Sequence, residues 1–193
     1  MKVRITPSTL KQRVIQIPPS KSMAHRAIVC ASLAHGKSVI TNLDYSVDIQ
    51  TTINGMRQLG ANIKQYDDYV EIEGIKNFED CKETIIECNE SGSTLRFFIP
   101  LFSLTNKPIT FTGTKRLMER PQGIYREMFQ QQGLTFKQEN GKIEIEGKLK
   151  PQTYHVKGDV SSQFISGLCF VLPLLEQDSI IQIAPAFESR SYV

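Results

Sequence analysis

Serine-rich segments recur three times in the 193-residue chain, at intervals of about seventy residues. They read Ser20-Lys21-Ser22, Ser91-Gly92-Ser93 and Ser161-Ser162-Gln163. Each precedes a run with helical spacing, and serine is a favoured helix N-cap. The start of a helix presents free N–H groups and the positive end of its dipole, both of which bind phosphate or carboxylate. The spacing predicts three anion-binding helix starts that face a common pocket, although each serine could instead only cap its helix.

Arginines follow two of these segments by one helical turn. Arg26 lies four residues after Ser22, and Arg96 lies four residues after Gly92, so each side chain projects from the same face as the cap. A guanidinium binds phosphate or carboxylate through paired hydrogen bonds, which an ammonium cannot form. The pattern therefore indicates a pocket for small anionic ligands.

A fourth cationic segment, Thr114–Pro121, holds Lys115, Arg116 and Arg120 between a predicted strand and a predicted helix. Pro121 falls in the first turn of that helix, where proline is favoured. A run of charges is often only a solvated loop. The segment is therefore either solvated or faces a ligand.

Other classes of chemistry have no support in the sequence. The three histidines lack the spacing of metal ligands, and neither a Walker loop nor a G-x-S-x-G elbow occurs. We expect no cofactor and no metal ion.

The elements that must position these segments also repeat. Residues 63–74 and 136–147 each predict two short strands around a polar turn, and the second turn is Asn140-Gly141, a strong hairpin signal. Each predicted hairpin follows a helix that ends in glycine, at Gly60 or Gly133.

The strands and helices before these hairpins are predicted in one constant order. The first unit contains strand 14–17, helix 21–34, strand 38–43 and helix 48–59; the second contains strand 84–88, helix 92–103, strand 109–112 and helix 122–132; the third contains strand 153–156, helix 161–175 and strand 179–183. The sequence predicts an α/β fold of repeated βαβαββ units, about residues 13–74, 83–147 and 153–193. The third unit is truncated, so two and a half copies are expected.

Composition excludes several classes of partner. The chain has 23 basic and 20 acidic residues, a net charge of +3, and 40% hydrophobic residues. A nucleic-acid-binding domain usually concentrates basic residues on one face, so we expect no nucleic acid. The longest apolar run, 164–175, is too short to span a membrane. The four cysteines match no zinc pattern, and we expect core thiols in a cytoplasmic protein.

Four motifs resemble those of the EPSP synthases, in the right order and with the right spacing. They are PPSKSMAHRA at 18–27, which resembles PSKS-x-x-x-R-A; SGSTLR at 91–96, which resembles [AS]-G-T-x-x-R; LMERP at 117–121, which resembles the R-P loop; and VSSQF at 160–164, which resembles S-S-Q-F/Y. The resemblance covers nearly the whole chain.

The resemblance implies a fold and a reaction. EPSP synthases transfer the enolpyruvyl group of phosphoenolpyruvate to the 5-hydroxyl of shikimate 3-phosphate and release phosphate, a step of aromatic amino acid biosynthesis. They have two domains of three βαβαββ units each, the inverse α/β barrel type of the enolpyruvyl transferases. We expect residues 1–193 to be most of one substrate-binding domain, with the second domain absent, and to bind substrate without turnover.

The resemblance also implies residue roles. Shikimate 3-phosphate would be held by Ser22, Arg26, Ser161, Ser162, Gln163, Ser189 and Tyr192; phosphoenolpyruvate would be held by Lys21, Gly92, Arg120 and Gln163. Lys21 would also take part in proton transfer as the catalytic residue, and Arg96 would be structural. The chain departs from the family at Glu90, where many members have Asn, and at Ser189–Tyr192, which reads SRSY where S-K-P-Y is usual.

Two alternatives stay open. A related enolpyruvyl transferase acts on UDP-N-acetylglucosamine, but it usually carries a Cys in the loop that corresponds to 114–120 and a K-N pair where this chain has Lys21-Ser22. The other alternative is a non-enzymatic module that binds anions.

Overall fold

The computed structural model describes residues 2–4, 6–7, 14, 16–159, 161–185, 187, 191 and 193. In chain order they form α1 Lys21–Leu33, β1 Lys37–Thr41, α2 Val47–Leu59, β2 Asn62–Gln65, β3 Tyr69–Glu73, β4 Ile85–Glu87, α3 Gly92–Ser103, β5 Ile109–Thr112, α4 Lys115–Met118, α5 Gly123–Gln131, β6 Thr135–Glu139, β7 Lys142–Glu146, β8 Thr153–Val156, α6 Ser162–Val171 and β9 Ile180–Ile183. Short 3-10 turns lie at Phe78–Asp80 and Leu172–Leu174.

Each predicted repeat contributes one sheet. The strand orders are β1-β3-β2, β4-β5-β7-β6 and β8-β9. The hairpins β2–β3 and β6–β7 are antiparallel, and the second strand of each hairpin pairs antiparallel with β1 or β5. The pairs β4–β5 and β8–β9 are parallel. The second unit therefore has the predicted βαβαββ order in a mixed sheet, with the short helix α4 added. Among the described residues, the first unit lacks its predicted first strand, and the third unit shows βαβ.

The strands alternate between a buried and a solvated face. Val70 and Ile72 of β3 are 0% and 1% exposed, and Ile143 and Ile145 of β7 occupy the same places in the second sheet, also 0% and 1% exposed. The residues between them are charged and lie on the opposite face. This alternation has the period of two expected of a half-buried strand, so each sheet covers the helices on one side only.

Helix α3 lies at the centre of the core. Its residues Phe97, Phe98, Ile99, Leu101 and Phe102 are all fully buried, and it packs against α1, α2 and α6. A helix that is apolar on all sides has to be enclosed by other elements. The surrounding elements therefore fix the position of its start.

A proline inside α3 determines how α6 packs against it. Pro100 has no N–H, so the carbonyl of Arg96 lacks its intrahelical donor. The Tyr125 hydroxyl of α5 donates to that carbonyl at 2.6 Å. Gly167 of α6 lies against this bond, because a Cβ there would be 2.3 Å from the Tyr125 hydroxyl oxygen and 2.8 Å from the Arg96 carbonyl oxygen.

Several sequence predictions need correction. The prediction of a strand at residues 14–17 was wrong. Val14, Gln16 and Ile17 are not in a strand, and Ile15 lies outside the described residues. Val14, Gln16 and Ile17 are exposed and are followed by Pro18-Pro19, whose rings leave no N–H groups to pair.

Helix boundaries and two cysteines also differ from expectation. Helix 161–175 ends at Val171 and continues as a 3-10 turn around Pro173. Pro121 precedes the N-cap of α5, Gln122, and lies outside the helix. Cys30 and Cys169 are exposed, which corrects the expectation of core thiols, whereas Cys81 and Cys88 are buried as expected.

Candidate anion-binding site

The three serine segments form helix starts, as their spacing predicts. The side chains of Ser20, Ser91 and Ser161 accept hydrogen bonds from the N–H groups of Met23, Thr94 and Gln163, at 3.4, 3.2 and 3.4 Å. The helices then begin at Lys21, Gly92 and Ser162. Because the first N–H groups of a helix have no intrahelical acceptor, those of these three residues are left for a ligand or water.

Gln163 connects the starts of α3 and α6. Its Oε1 accepts a hydrogen bond from Arg96 Nη1 at 2.7 Å, and its Nε2 donates to Ser93 Oγ at 2.7 Å. These two bonds fix the orientation of the amide. The Arg96 guanidinium also lies over the Phe164 ring, 4.7 Å from its centroid. Arg96 was expected to be structural, and in this structure it positions the side chain of Gln163.

Arg26 connects α1 to α6. Its Nη1 donates to the Ser22 carbonyl at 2.9 Å, one turn back along α1, and its Nη2 donates to Ser166 Oγ of α6 at 2.9 Å. The guanidinium lies 5.2 Å from the centroid of Phe97. Arg26 therefore holds a positive charge at the place where the three helices meet.

Arg120 lies directly against the start of α3. A Cβ on Gly92 would be 2.6 Å from Arg120 Nη1, so only glycine leaves room for this guanidinium. The chain around Arg120 is held by Gln138, whose Nε2 donates to the carbonyls of Met118 and Arg120 at 2.7 and 2.9 Å. Helix-capping preferences by themselves do not favour glycine at position 92, the first residue of α3.

The site is electropositive where these arginines approach each other. Burial lowers the pKa of Arg96 most, and the nearby Arg120 lowers it further, while Tyr125 raises it. The Nε of Arg96 is buried and has no hydrogen-bond partner among the described residues. An anion placed near both guanidinium groups would relieve their repulsion.

Lys21 forms an ion pair that the sequence did not predict. Its Nζ lies 2.6 Å from Asp48 Oδ2, at the start of α2, and the two side chains are 55% and 26% exposed. Asp48 occupies the first turn of its helix, where a carboxylate is favoured by the dipole. The pair places an ammonium and a carboxylate together at the edge of the site.

The other cations of the segment 114–121 are solvated. Lys115 is 88% exposed and its Nζ lies 3.8 Å from a carboxylate oxygen of Glu119, within α4 and its cap. Arg116 is also exposed. The interpretation of this segment as a solvated loop therefore holds for Lys115 and Arg116. Of its three basic residues, only Arg120 can still face a ligand.

A cleft of about 420 Å³ opens beside the start of α6. It is lined by Arg96, Pro121, Gly123, Ile124, Glu127, Gln131, His155, Lys157, Ser161 and Phe164. Of the described residues that were predicted to bind substrate, Ser161 lines this cleft, and the following do not: Lys21, Ser22, Arg26, Gly92, Arg120, Ser162 and Gln163. The cleft therefore does not unite the three helix starts in one pocket, since it lies at the start of α6 and beside Arg96.

The structure brings most of the predicted residues together. Gln163, Arg26, Gly92 and Arg120 take part in the contacts between the helix starts or lie against them, and Ser22, Ser161, Ser162 and Lys21 belong to the capping turns. Ser189 and Tyr192 lie outside the described residues. Sequence reasoning missed Asp48 and Ser166, and it named Ser93 only as part of the segment Ser91-Gly92-Ser93. Asp48 had a local signal as an acidic residue at a helix start, and Ser166 had only its position five residues after Ser161.

Within the described residues, every helix is too short or too polar to cross a lipid bilayer.

Comparisons with known proteins identify the family of this chain. A sequence model of the family EPSP synthase (3-phosphoshikimate 1-carboxyvinyltransferase) matches residues 5–192. A 3-phosphoshikimate 1-carboxyvinyltransferase of Clostridium perfringens is 50% identical over 194 residues, which cover 100% of this chain and 46% of that protein. One from Clostridium kluyveri is 48% identical over 193 residues, covering 99% and 45%.

The fold also matches a solved structure. EPSP synthase from Acinetobacter baumannii superposes with a TM-score of 0.73 and 22% identity, over 88% of this chain and 40% of that one. At this identity the likeness shows the fold, an enolpyruvyl transferase fold of mixed α/β type. This chain spans about half the length of the curated relatives that it matches. It belongs to the EPSP synthase family.

Proposed function

We propose that this chain is most of one substrate-binding domain of a 3-phosphoshikimate 1-carboxyvinyltransferase. The whole protein would transfer the enolpyruvyl group of phosphoenolpyruvate to shikimate 3-phosphate and release phosphate. Family membership and the names of the relatives support the reaction. The observation that carries the site is the approach of Arg26, Arg120 and the Arg96–Gln163 pair to adjoining serine-capped helix starts.

Shikimate 3-phosphate is assigned to the side of the site formed by α1 and α6. The ligands are Ser22, Arg26, Ser161, Ser162 and Gln163, with Ser189 and Tyr192 from the C-terminal segment that is not described. Hydroxyls, the free N–H groups of the α6 start and one guanidinium together suit a phosphate monoester. Arg26 is already held by Ser166, so little side-chain entropy is lost on binding.

Phosphoenolpyruvate is assigned to the side formed by α3 and the segment before α5. Gly92, Arg120 and Lys21 supply a helix start and two positive charges. Gln163 contacts Ser93 at the start of α3 while belonging to α6 itself. It therefore lies where it could touch both substrates, which supports its assignment to both sites.

These residues act mainly by bringing two anions together. In the overall exchange, the substrate hydroxyl oxygen bonds to the enolpyruvyl carbon, the bond from that carbon to the phosphate oxygen breaks, and the hydroxyl proton ends on the released phosphate. Fixed cations offset the repulsion between the substrates and stabilise the charge on the departing phosphate. Lys21, paired with Asp48, is the group in this chain that we assign to proton transfer.

Turnover is proposed to need groups from the rest of the protein. The relatives are about twice as long as this chain, and the pocket described here is open. In an open pocket water and salt screen charge pairs. We expect the 193-residue chain to bind shikimate 3-phosphate weakly, to bind phosphoenolpyruvate more weakly, and to release no phosphate from the pair.

Calorimetric titration of the chain with each substrate, together with a phosphate-release assay, tests this proposal. Arg26→Ala should reduce the binding free energy of shikimate 3-phosphate by about 2 kcal/mol, the scale of a charged hydrogen bond. Arg116→Ala is the matched control, because Arg116 is an exposed arginine on the short helix α4. Equal losses in both variants would remove Arg26 from the site, and measurable turnover would show that the chain carries its own acid–base groups.

The UDP-N-acetylglucosamine enolpyruvyl transferase is not favoured. The relatives above are all named for 3-phosphoshikimate, and the segment 114–120 contains no cysteine. An anion-binding module without turnover makes the same binding prediction for this chain, and the release assay on the full-length protein separates the two. A location in the cytoplasm stays part of the proposal.

A further inference from the structure

We propose that His25, Thr52 and Thr94 form a hydrogen-bonded chain that positions the start of α3 for anion binding. The inference rests on the proposed function of that helix start. His25 Nδ1 lies 2.7 Å from Thr52 Oγ1, and Thr52 Oγ1 lies 2.7 Å from Thr94 Oγ1. Thr94 Oγ1 donates to Ser91 Oγ at 2.6 Å. The chain thus runs from α1 through α2 to the capping serine of α3.

All members of this chain are excluded from water. His25 and Ser91 are each 1% exposed, and Thr52 and Thr94 are 0% exposed. Buried polar groups need partners, and here the partners come from three different helices. Loss of one member removes a hydrogen bond that water cannot replace at a buried position, although Thr52 also has the Asp48 carbonyl at 3.3 Å. The three helices are therefore coupled through this chain as well as through apolar packing.

The hydroxyl protons give the chain a direction. Each hydroxyl has one proton, and that of Thr94 goes to Ser91. The Thr52 hydroxyl has two acceptors within reach, Thr94 Oγ1 at 2.7 Å and the Asp48 carbonyl at 3.3 Å. Its single proton goes to one of them, so the bond to His25 is donated by Nδ1–H. Burial lowers the pKa of His25 to about 4, and the charges around it act in both directions: Asp48 raises the pKa, while Lys21 and Arg26 lower it. The imidazole is therefore neutral near pH 7 and can adopt this tautomer.

Ser91 is the residue through which the chain acts on the site. Its Oγ also accepts the N–H of Thr94, which closes the capping turn and leaves the N–H groups of Gly92 and Ser93 without an intrahelical acceptor. The start of α3 at Gly92 is assigned to phosphoenolpyruvate, and the next residue, Ser93, accepts a hydrogen bond from Gln163 through its hydroxyl. His25 is accordingly a positioning residue, since it acts on the anion only through the cap.

Matched variants separate this role from ordinary packing. His25→Leu and Thr52→Val remove the hydrogen bonds while largely keeping the volume. His25→Asn keeps an N–H donor near the position of Nδ1. Thr105→Val is the control, because Thr105 is 2% exposed and donates to the Phe102 carbonyl just beyond the opposite end of α3.

Two measurements on the 193-residue protein decide the proposal. The first is exchange of the Thr94 amide hydrogen by NMR, in buffer without anions, and the second is titration with inorganic phosphate. We expect His25→Leu and Thr52→Val to speed the exchange and weaken phosphate binding by about fivefold or more, roughly 1 kcal/mol. His25→Asn should stay within about twofold of the wild type, as should Thr105→Val.

The two measurements can fail separately. Equal effects in Thr105→Val, or no rescue in His25→Asn, would overturn the positioning role and leave only a packing role. Should the wild-type chain bind no phosphate, the proposed function of the α3 start fails, and the claim that this chain of bonds positions the helix for an anion fails with it. Slow Thr94 exchange in His25→Leu and Thr52→Val would refute the coupling whether or not phosphate binds.

Discussion

Two junctions between repeats place different residues at one position of the repeat. His25 and Arg96 each lie five residues after a capping serine, Ser20 or Ser91. At the first junction, between α1, α2 and α3, the neutral His25 joins a buried chain of hydroxyls. At the second, between α3, α5 and α6, Arg96 holds Gln163 beside an open cleft of about 420 Å³.

The difference shows how one framework serves two purposes. The first junction is dry, so it can hold only uncharged partners at low cost, and it fixes the geometry. The second junction is half-open, so a guanidinium can remain charged there and attract an anion. Ser166 occupies the equivalent position in the third repeat, and its hydroxyl accepts a hydrogen bond from Arg26 of the first repeat. The predictions below test whether the junctions differ in this way.

The largest expected effect is steric and lies at the second junction. Gly167→Ala would place a Cβ against the Tyr125 hydroxyl and the Arg96 carbonyl, neither of which can easily move. We expect the free energy of unfolding to fall by about 3 kcal/mol, as for other overpacked cores. Urea denaturation measures it. Gly123→Ala, where a Cβ meets nothing within 4 Å, should change stability little; a similar loss there would contradict the packing described for α6.

The next effect concerns pH at the first junction. The pKa of His25 is lowered from 6.5 to about 4 in the folded chain, so the unfolded state binds the proton first as the pH falls. Stability is therefore full above about pH 6.5 and is lost as the pH falls toward 4, by about 2 kcal/mol between pH 8 and pH 5.

Denaturation of wild type and His25→Asn across this pH range isolates the contribution of His25 to stability, because carboxylates that titrate in the same range are present in both proteins. The variant should show a shallower decline than the wild type. Parallel curves would mean that His25 is not held neutral in the folded chain.

A smaller effect is expected at the first helical position, where the repeats carry Lys21, Gly92 and Ser162. Gly92→Ala should displace the Arg120 guanidinium, since the added Cβ would lie 2.6 Å from Nη1. The arginine is flexible, so stability should hold. Binding of phosphoenolpyruvate should weaken by roughly 1.5 kcal/mol, the loss of one charged hydrogen bond. Calorimetry with shikimate 3-phosphate is the control, because that affinity should not change; weakening of both ligands alike would argue against separate subsites.

The smallest effect is expected at the rim of the first junction. Asp48→Asn removes the exposed ion pair with Lys21 and should change the free energy of unfolding by less than about 1 kcal/mol. Glu119→Gln, which removes the solvated pair with Lys115, is the matched control for stability. A loss of several kcal/mol in Asp48→Asn alone would show that the pair is structural and not available for proton transfer.

Local patterns predicted most of the framework. Helix 92–103 and the strands 109–112 and 153–156 have the predicted bounds, because apolar periodicity, serine caps and hairpin turns are properties of short segments. The strand 14–17 could not be predicted correctly in this way. A strand needs a partner strand as well as a suitable sequence pattern, and Val14, Gln16 and Ile17 are exposed.

By itself, the amino-acid sequence determined the repeat, the three capped helix starts and the cations that follow them. Only the tertiary structure decided which of these cations meet. Arg26 and Ser166 are 140 residues apart in the chain, Arg96 and Gln163 are 67 apart, and Lys21 and Asp48 are 27 apart. Contacts over such separations depend on how separate helices pack, within one repeat or between repeats, and no local preference encodes that packing. The same holds for Gly92, whose missing side chain has a reason only once Arg120 lies against it.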